Sequence, residues 1–393
     1  MTLETCLTRI EARDAEVRGW AYLDRTARAG AGPLAGVVLG VKDVIDVAGM
    51  PTTHGSPAFS GNIAATDAAS VARLRAAGAV VLGKTVTAEF ATYHPGPTAN
   101  PRNLAHTPGG SSSGSAAVVA DGQADLALGT QTAGSVIRPA SFCGTFGFKP
   151  TFGRYPLGGV LETAPSLDTL GLFGRNLALI TAADAVLADE DDLPPAQASL
   201  TVGLCRSPAW DAASAEMQAA FLACANVLRA AGHAVQDHDL PAPFERLGAA
   251  QALIHRREAS MVMGHIRRDH SALVSPAFAA MIDAGAAESE ADHQAALAVQ
   301  QQCKALAADV FAGVDLLLVP GAPDAAPAGL AATGDPVFQR IWTALGAPCL
   351  GFPAAWREDG LPLGLQVIGA PGTDRQLLSN ARAIEALAAI REI

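Results

Sequence analysis

The chain predicts an α/β protein, a mixed central β-sheet covered by helices on both faces. Short apolar runs alternate with longer stretches of helical spacing, the pattern of strands and covering helices. Half of the 393 residues are hydrophobic and only 17% are charged, which suits a large core rather than disorder. Frequent glycine and proline, 39 and 25 residues, fit many short connections between regular elements.

Taken in order, residues 3–29 have helix-forming composition with apolar positions at helical spacing. Residues 36–43 read as a short strand that ends at a charge. A helix over 67–77 is followed by Gly78 and a strand over 79–82. Small residues from 113 to 120 suit a helix that starts just after a glycine turn. Residues 125–128 form a strand leading into a second small-residue loop. In the second half, 202–205 is a strand, and 211–231, 246–268 and 287–312 are helices. A strand over 316–319 is stopped by Pro320, another covers 363–368, and 375–389 is a closing helix. The acidic stretch 189–197, with two prolines, reads as a linker. No repeat of roughly 20–50 residues is evident. The expectation is one domain, 1–393, with a less typical, helix-rich substrate-shaping region at about 200–340.

Charge and composition narrow the function. The net charge is −11, from 38 acidic and 27 basic residues, and no basic run occurs, which argues against a nucleic-acid partner. The first residues run soon into Arg9, Glu11, Arg13 and Asp14, without the apolar core of a secretory signal. No apolar stretch is long enough to span a bilayer. Cys6, Cys143, Cys205, Cys224, Cys303 and Cys349 are scattered without a CxxC pair. They read as reduced, mostly buried thiols of a cytoplasmic protein. None of the nine histidines is paired at metal-ligand spacing, His265 and His270 read as surface residues, and no metal or cofactor is expected.

One motif is rejected on context. Residues 78–85 satisfy G-x-x-x-x-G-K-[ST], the phosphate-binding pattern. The filling residues Ala79, Val80, Val81 and Leu82 are strand formers, and a phosphate cradle needs that backbone free as a loop. The stretch reads instead as a buried strand with a turn at Gly83.

Two other elements carry chemistry. Residues 109–117 (GGSSSGSAA) and 129–140 (GTQTAGSVIRPA) are small-residue loops rich in hydroxyls. Glycine lets the backbone turn sharply and present N–H groups to a ligand, and serine supplies an oxygen nucleophile. Gly134-Ser135-Val136-Ile137 breaks the G-x-S-x-G elbow pattern, so a Ser-His-Asp arrangement around Ser135 is not indicated. The reading is amide hydrolysis without metal or histidine.

Gly40 to Asp43, Gly78 to Thr85 with Glu89 and Phe90, Thr107 to Ser115, Gly129 to Gly144, Gly147 to Pro150 and Ser166 to Thr169 occur in order. On these motifs the chain resembles the amidase signature family, over roughly residues 33–175 and again around 362–370. The resemblance implies a Ser–cis-Ser–Lys triad, with Ser135 as nucleophile, Ser111 as the bridging serine preceded by a cis bond, and Lys42 as terminal base. It also implies an oxyanion hole from the backbone N–H groups of Thr132, Ala133, Gly134 and Ser135. The chemistry is consistent with those residue types. A serine hydroxyl needs a base to take its proton, and a lysine can do so only when neutral. Burial disfavours the ammonium and moves the pKa down from roughly 10.4. Lys42 follows the apolar residues Val37, Val38, Leu39 and Val41, which suits a desolvated amine.

At the nucleophile loop many family members carry Gly-Ser-Ile-Arg, whereas here Arg138 stands one place later, after Val136 and Ile137. This variant resembles malonamidase-type small-acid amidases, in which the matching arginine holds the substrate carboxylate. A guanidinium suits that role because it offers a planar fork of donors. The alternative for Arg138 is a structural ion pair with a buried carboxylate. Gln131 and Ala133 depart from the commoner Asp-Thr-Gly-Gly-Ser form, and Ala133 also occurs in relatives that cleave allophanate-type ureas. The implied activity is hydrolysis of a small, carboxylate-bearing amide to acid and ammonia through an acyl-enzyme. An allophanate or carboxybiuret hydrolase, or the amidase component of a tRNA-dependent amidotransferase, remains as an alternative. The expected partner is a small-molecule amide, with neither nucleic acid nor membrane, and homodimer formation is left open.

Overall fold

A computed structural model describes residues 1–387. The strands are β1 (Trp20–Leu23), β2 (Val38–Lys42), β3 (Val80–Thr85), β4 (Leu126–Gln131), β5 (Phe146–Lys149), β6 (Thr169–Gly174), β7 (Thr201–Leu204), β8 (Ala234–Asp237), β9 (Leu316–Pro320), β10 (Cys349–Trp356) and β11 (Pro362–Ile368). The helices are α1 (Leu3–Val17), α2 (Ala69–Ala76), α3 (Ser113–Ala120), α4 (Ile137–Cys143), α5 (Leu177–Ala188), α6 (Ala215–Ala230), α7 (Phe244–Asp269), α8 (Pro276–Ala287), α9 (Glu290–Ala305), α10 (Ala307–Val310), α11 (Arg340–Leu345) and α12 (Asp374–Leu387).

One mixed sheet takes strands from both halves of the chain in the order β1-β3-β2-β4-β6-β5-β10-β11-β9-β7-β8, flanked by helices. The α/β architecture expected from the alternation of runs is therefore present. At one end β3, β2 and β4 are parallel and every residue in them is buried. Parallel strands covered on both faces read as continuous apolar runs, which is why these three were visible in the sequence. The same enclosure buries Lys42, the last residue of β2.

Several expectations need correction. The helix over 3–29 ends at Val17, because Arg18 adopts a left-handed conformation at its C-cap and Asp14 accepts the next N–H, from Gly19. The chain then forms β1, which pairs antiparallel with β3. The strand inside the rejected phosphate motif does not turn at Gly83 but continues through Lys84 to Thr85. A side chain at Gly83 would lie 2.1 Å from Tyr22 O, so glycine there permits the close approach of β1. The helix over 287–312 is broken: Glu288 is extended and Ser289 caps α9 by accepting from Asp292 N. Strands β5, β6, β8 and β10 have no counterpart in the sequence expectation. In β6, Gly171 resembles loop chemistry, yet a side chain there would lie 2.7 Å from Phe148 O of β5, so it marks close strand packing. Residues 388–389 of the closing helix lie outside the described residues. The acidic stretch after α5 is strapped to α12, where Arg375 donates to Asp191 O and Asp192 O, and Ser379 to Pro194 O.

The main core surrounds the sheet. A second apolar cluster joins Phe90 to Ala259, Met263 and Ile266 of α7 and Phe278, Met281 and Ile282 of α8. Phe90 and Ala91 both have positive φ, 48° and 58°, a conformation non-glycine residues hold only where surroundings enforce it. Packing of Phe90 supplies that enforcement. Glu89 adds to it by accepting from Ser56 Oγ and Ser275 N. No helix among the described residues is long and apolar enough to cross a membrane.

Candidate active site

Lys42 is fully buried. Its Nζ lies 2.8 Å from Ser111 Oγ and 2.8 Å from Thr130 Oγ1. Both partners are neutral hydroxyls, and among the described residues no carboxylate lies within ion-pair distance. Burial therefore dominates and pushes the Lys42 pKa down to about 7, against a smaller upward pull from Asp168. Lys84, one strand away, has the opposite setting: it is also fully buried, but it pairs with Asp43 at 2.9 Å and donates to Pro51 O and Thr52 Oγ1. The lysine of the phosphate-like motif is thus occupied in a buried ion pair.

Ser111 lies in the loop before α3, and the Gly110–Ser111 peptide bond is cis, as the resemblance implied. Ser135 lies between β4 and α4. Its Oγ makes no hydrogen bond among the described residues, Ser111 included. Catalytic hydrogen bonds in unliganded sites are often long and tighten only with substrate. The backbone N–H groups of Thr132, Ala133, Gly134 and Ser135 likewise donate to no acceptor in the described residues. Four consecutive unpaired donors at a buried loop are exceptional, because buried backbone groups are normally paired.

The loop carrying them is fixed from its side chains and carbonyls. Gln131 Oε1 accepts from Val136 N and Ile137 N, while its Nε2 donates to Thr343 Oγ1. Thr343 in turn donates to Ala133 O. Thr132 Oγ1 donates to Asp168 Oδ1 at 2.6 Å, and Gln251 Nε2 donates to Thr132 O. Asp168 Oδ2 also accepts from Thr163 N and Ala164 N. Burial outweighs these contacts and raises the Asp168 pKa to about 6.

Ser135 and Arg138 share a narrow cleft with Ala91, Tyr93, His255 and Thr333. Arg138 is 4% exposed. Its Nη2 donates to Gly110 O at 2.6 Å and to Thr333 Oγ1 at 3.3 Å, and its Nε has no partner among the described residues. Among the described residues it forms no ion pair, so the structural-pair alternative is not what is found. Burial, with Arg340 nearby, lowers its pKa to about 10, which leaves it charged at neutral pH. A larger cavity of about 220 Å3 touches Thr130 and Asp168, but neither Ser135 nor Arg138 lines it.

The sequence reasoning missed Thr130, Asp168, Gln251, His255 and Thr343. Thr130 and Asp168 stood inside motifs already singled out, but their roles depend on neighbours across the sheet. The others lie in the helix-rich second half. One signal was available there: Gln251, His255 and Glu258 are polar residues on the otherwise apolar buried stripe of α7, with Leu247, Ile254 and Ala259.

The comparisons with known proteins agree with this architecture. The Amidase family model matches residues 5–378. A glutamyl-tRNA(Gln) amidotransferase subunit of Thermus thermophilus is 36% identical over 404 residues, covering 90% of this chain and 85% of that protein. A crystal structure of an amidase superposes with a TM-score of 0.90 at 31% identity, covering 98% of this chain and 95% of the other. A structure described as part of a vestigial protein complex that reveals the origins of an s-triazine catabolic enzyme gives 0.91 at 27% identity, covering 100% and 95%. Similar sequences thus include amidotransferase subunits, and the match is not specific to malonamidase-type enzymes. On the family match and these similarities, the chain belongs to the amidase signature family, whose members hydrolyse amide C–N bonds.

Proposed function

We propose that the chain is a serine amidohydrolase in which Lys42, Ser111 and Ser135 form the catalytic relay. The neutral Lys42 amine accepts the Ser111 proton as Ser111 accepts that of Ser135. Ser135 Oγ then attacks the amide carbonyl carbon. The carbonyl oxygen becomes an oxyanion held by the N–H groups of Thr132, Ala133, Gly134 and Ser135, each such donor being worth about 2.7–4 kcal/mol. The relay returns a proton to the amine, the C–N bond breaks, and ammonia leaves. Water activated by the same relay cleaves the acyl-serine ester and regenerates Ser135. The observation that carries this reading is a lysine with no exposed surface, bonded only to hydroxyls, one of them Ser111. Ammonia release by Ser135→Ala and Lys42→Ala tests it: both variants should lose turnover.

Arg138 supports a carboxylate-bearing substrate. It is a buried, charged fork without a carboxylate partner, in the same cleft as the proposed nucleophile. The cleft is narrow, which favours a small acid amide over a bulky one. The helix-rich stretch at 200–340 shapes the pocket by contributing His255 and Thr333.

A second reading has the broader sequence support. The 36% identity to an amidotransferase subunit over most of both chains favours a component that acts with protein partners on charged tRNA and takes its ammonia from glutamine. Glutamine is itself a carboxylate-bearing amide, so Arg138 serves either reading. Its ammonium group separates them, because among the described residues no Asp or Glu lines the cleft. Co-purification with partner proteins and glutamine-dependent transfer would establish the amidotransferase reading, whereas hydrolysis of malonamate or allophanate by the isolated chain would establish the first.

A further inference from the structure

His255 sits on the buried stripe of α7 between two polar residues that each hold a loop. Gln251, one turn before it, donates to Thr132 O. Glu258, about one turn after it, accepts from Ser166 N and Ser166 Oγ. His255 is as buried as a core residue, 4% exposed, and lines the cleft with Ser135 and Arg138. Neither ring nitrogen has a hydrogen-bond partner among the described residues. The Tyr93 ring stands 6.4 Å away, centroid to centroid, at 60°, which provides packing only. Enclosing a polar ring with both nitrogens unpaired is unfavourable, and its two neighbours on the helix show that this stripe otherwise satisfies its polar groups.

We propose that His255 is a substrate-specificity residue, one ring nitrogen of which accepts from an N–H of the substrate, beside the carboxylate held by Arg138. This rests on the reading of Ser135 as nucleophile and Arg138 as carboxylate anchor. A neutral imidazole carries one donor and one acceptor. Burial, reinforced by the positive charges of Arg340 and Arg256, holds the His255 pKa at about 3, so the ring is neutral at working pH. The matching substrate class is a ureido acid amide, in which an N–H links the scissile amide carbonyl to the carboxylate. A methylene in that position supplies no donor. Sites built to bond a polar group discriminate strongly against analogues that lack it, because their own polar groups are then left unpaired.

Allophanate and malonamate make the comparison directly, since they differ only by N–H against CH2. The purified full chain should prefer allophanate in kcat/KM. His255→Ala should lower kcat/KM for allophanate, mainly through KM, at least about tenfold more than it lowers that for malonamate. His255→Gln, which restores a donor and an acceptor, should recover part of the loss. Should the alanine variant not fold, His255→Phe keeps the ring volume without hydrogen bonding and must show the same selectivity change. Equal losses on both substrates, or no loss on allophanate, overturn the proposal. Failure of the underlying reading has a different signature: persistent turnover in Ser135→Ala, or Arg138→Ala weakening neutral and acidic amides alike.

Discussion

Replacing Lys42 by methionine should abolish ammonia release and remove a pH-dependent destabilisation of the fold. The amine is completely buried, and its pKa falls from 10.5 to about 7, chiefly through desolvation. The unfolded chain therefore binds this proton more tightly than the folded chain, and wild-type stability rises with pH between about 7 and 10.5. At about 1.4 kcal/mol per pKa unit, the gain from pH 7 to pH 10 is about 4 kcal/mol. Methionine does not titrate, so the difference in unfolding free energy between wild type and Lys42→Met isolates the term from every other titrating group. Urea denaturation of both proteins across that range should show the wild type gaining on the variant by about 1.4 kcal/mol per pH unit. The activity should follow the same group: kcat/KM should rise with pH to a midpoint near 7, and at pH 5 only about 1% of the amine is neutral. A stability difference that stays flat from pH 7 to 10 refutes a neutral Lys42, and with it the assignment of Lys42 as base.

Arg138→Ala should raise KM strongly for acidic amides and little for neutral ones, as steady-state kinetics on both classes will show; equal losses remove the carboxylate role. Asp168→Asn should lower kcat, because one acceptor oxygen becomes an NH2 donor, so either Thr132 Oγ1 or the Thr163 and Ala164 N–H groups lose their acceptor. It also removes a negative charge that favours protonated Lys42, so the acid limb of the kcat/KM profile should move to lower pH; an unmoved limb contradicts that coupling. Lys84→Met should destabilise the protein by about 3–5 kcal/mol, since it leaves Asp43 charged and buried without its partner. Chemical denaturation measures this loss, and calorimetry with ATP should register no binding in wild type or variant.

How much could be read in advance followed from how local each feature is. Strands β2, β3 and β4 showed as apolar runs because parallel neighbours bury both of their faces, and Val80 and Val81 were enough to reject a phosphate loop. The motifs holding Lys42, Ser111, Ser135 and Arg138 are contiguous, so the residue types and their order carried the resemblance. The end of α1 did not show, because the left-handed cap falls on Arg18 rather than on a glycine. Strand β6 was hidden because Gly171 and Gly174 interrupt its apolar run; β5 packs against Gly171 and Ile180 of α5 against Gly174. Thr130 becomes a partner of Lys42 only because β4 lies beside β2. His255 reaches the cleft, and Gln251 the carbonyl of Thr132, only through the placement of α7, which depends on contacts far apart in sequence, including Phe90 with α7 and α8.

The central claim is that Ser135 becomes nucleophilic through Lys42. The direct measurement is peptide-level mass spectrometry after exposure to a serine-reactive fluorophosphonate, in wild type and in folded Lys42→Met. The account predicts one adduct per chain, on Ser135, in wild type and almost none in the variant. An adduct that forms elsewhere, or on Ser135 at an undiminished rate without Lys42, contradicts it.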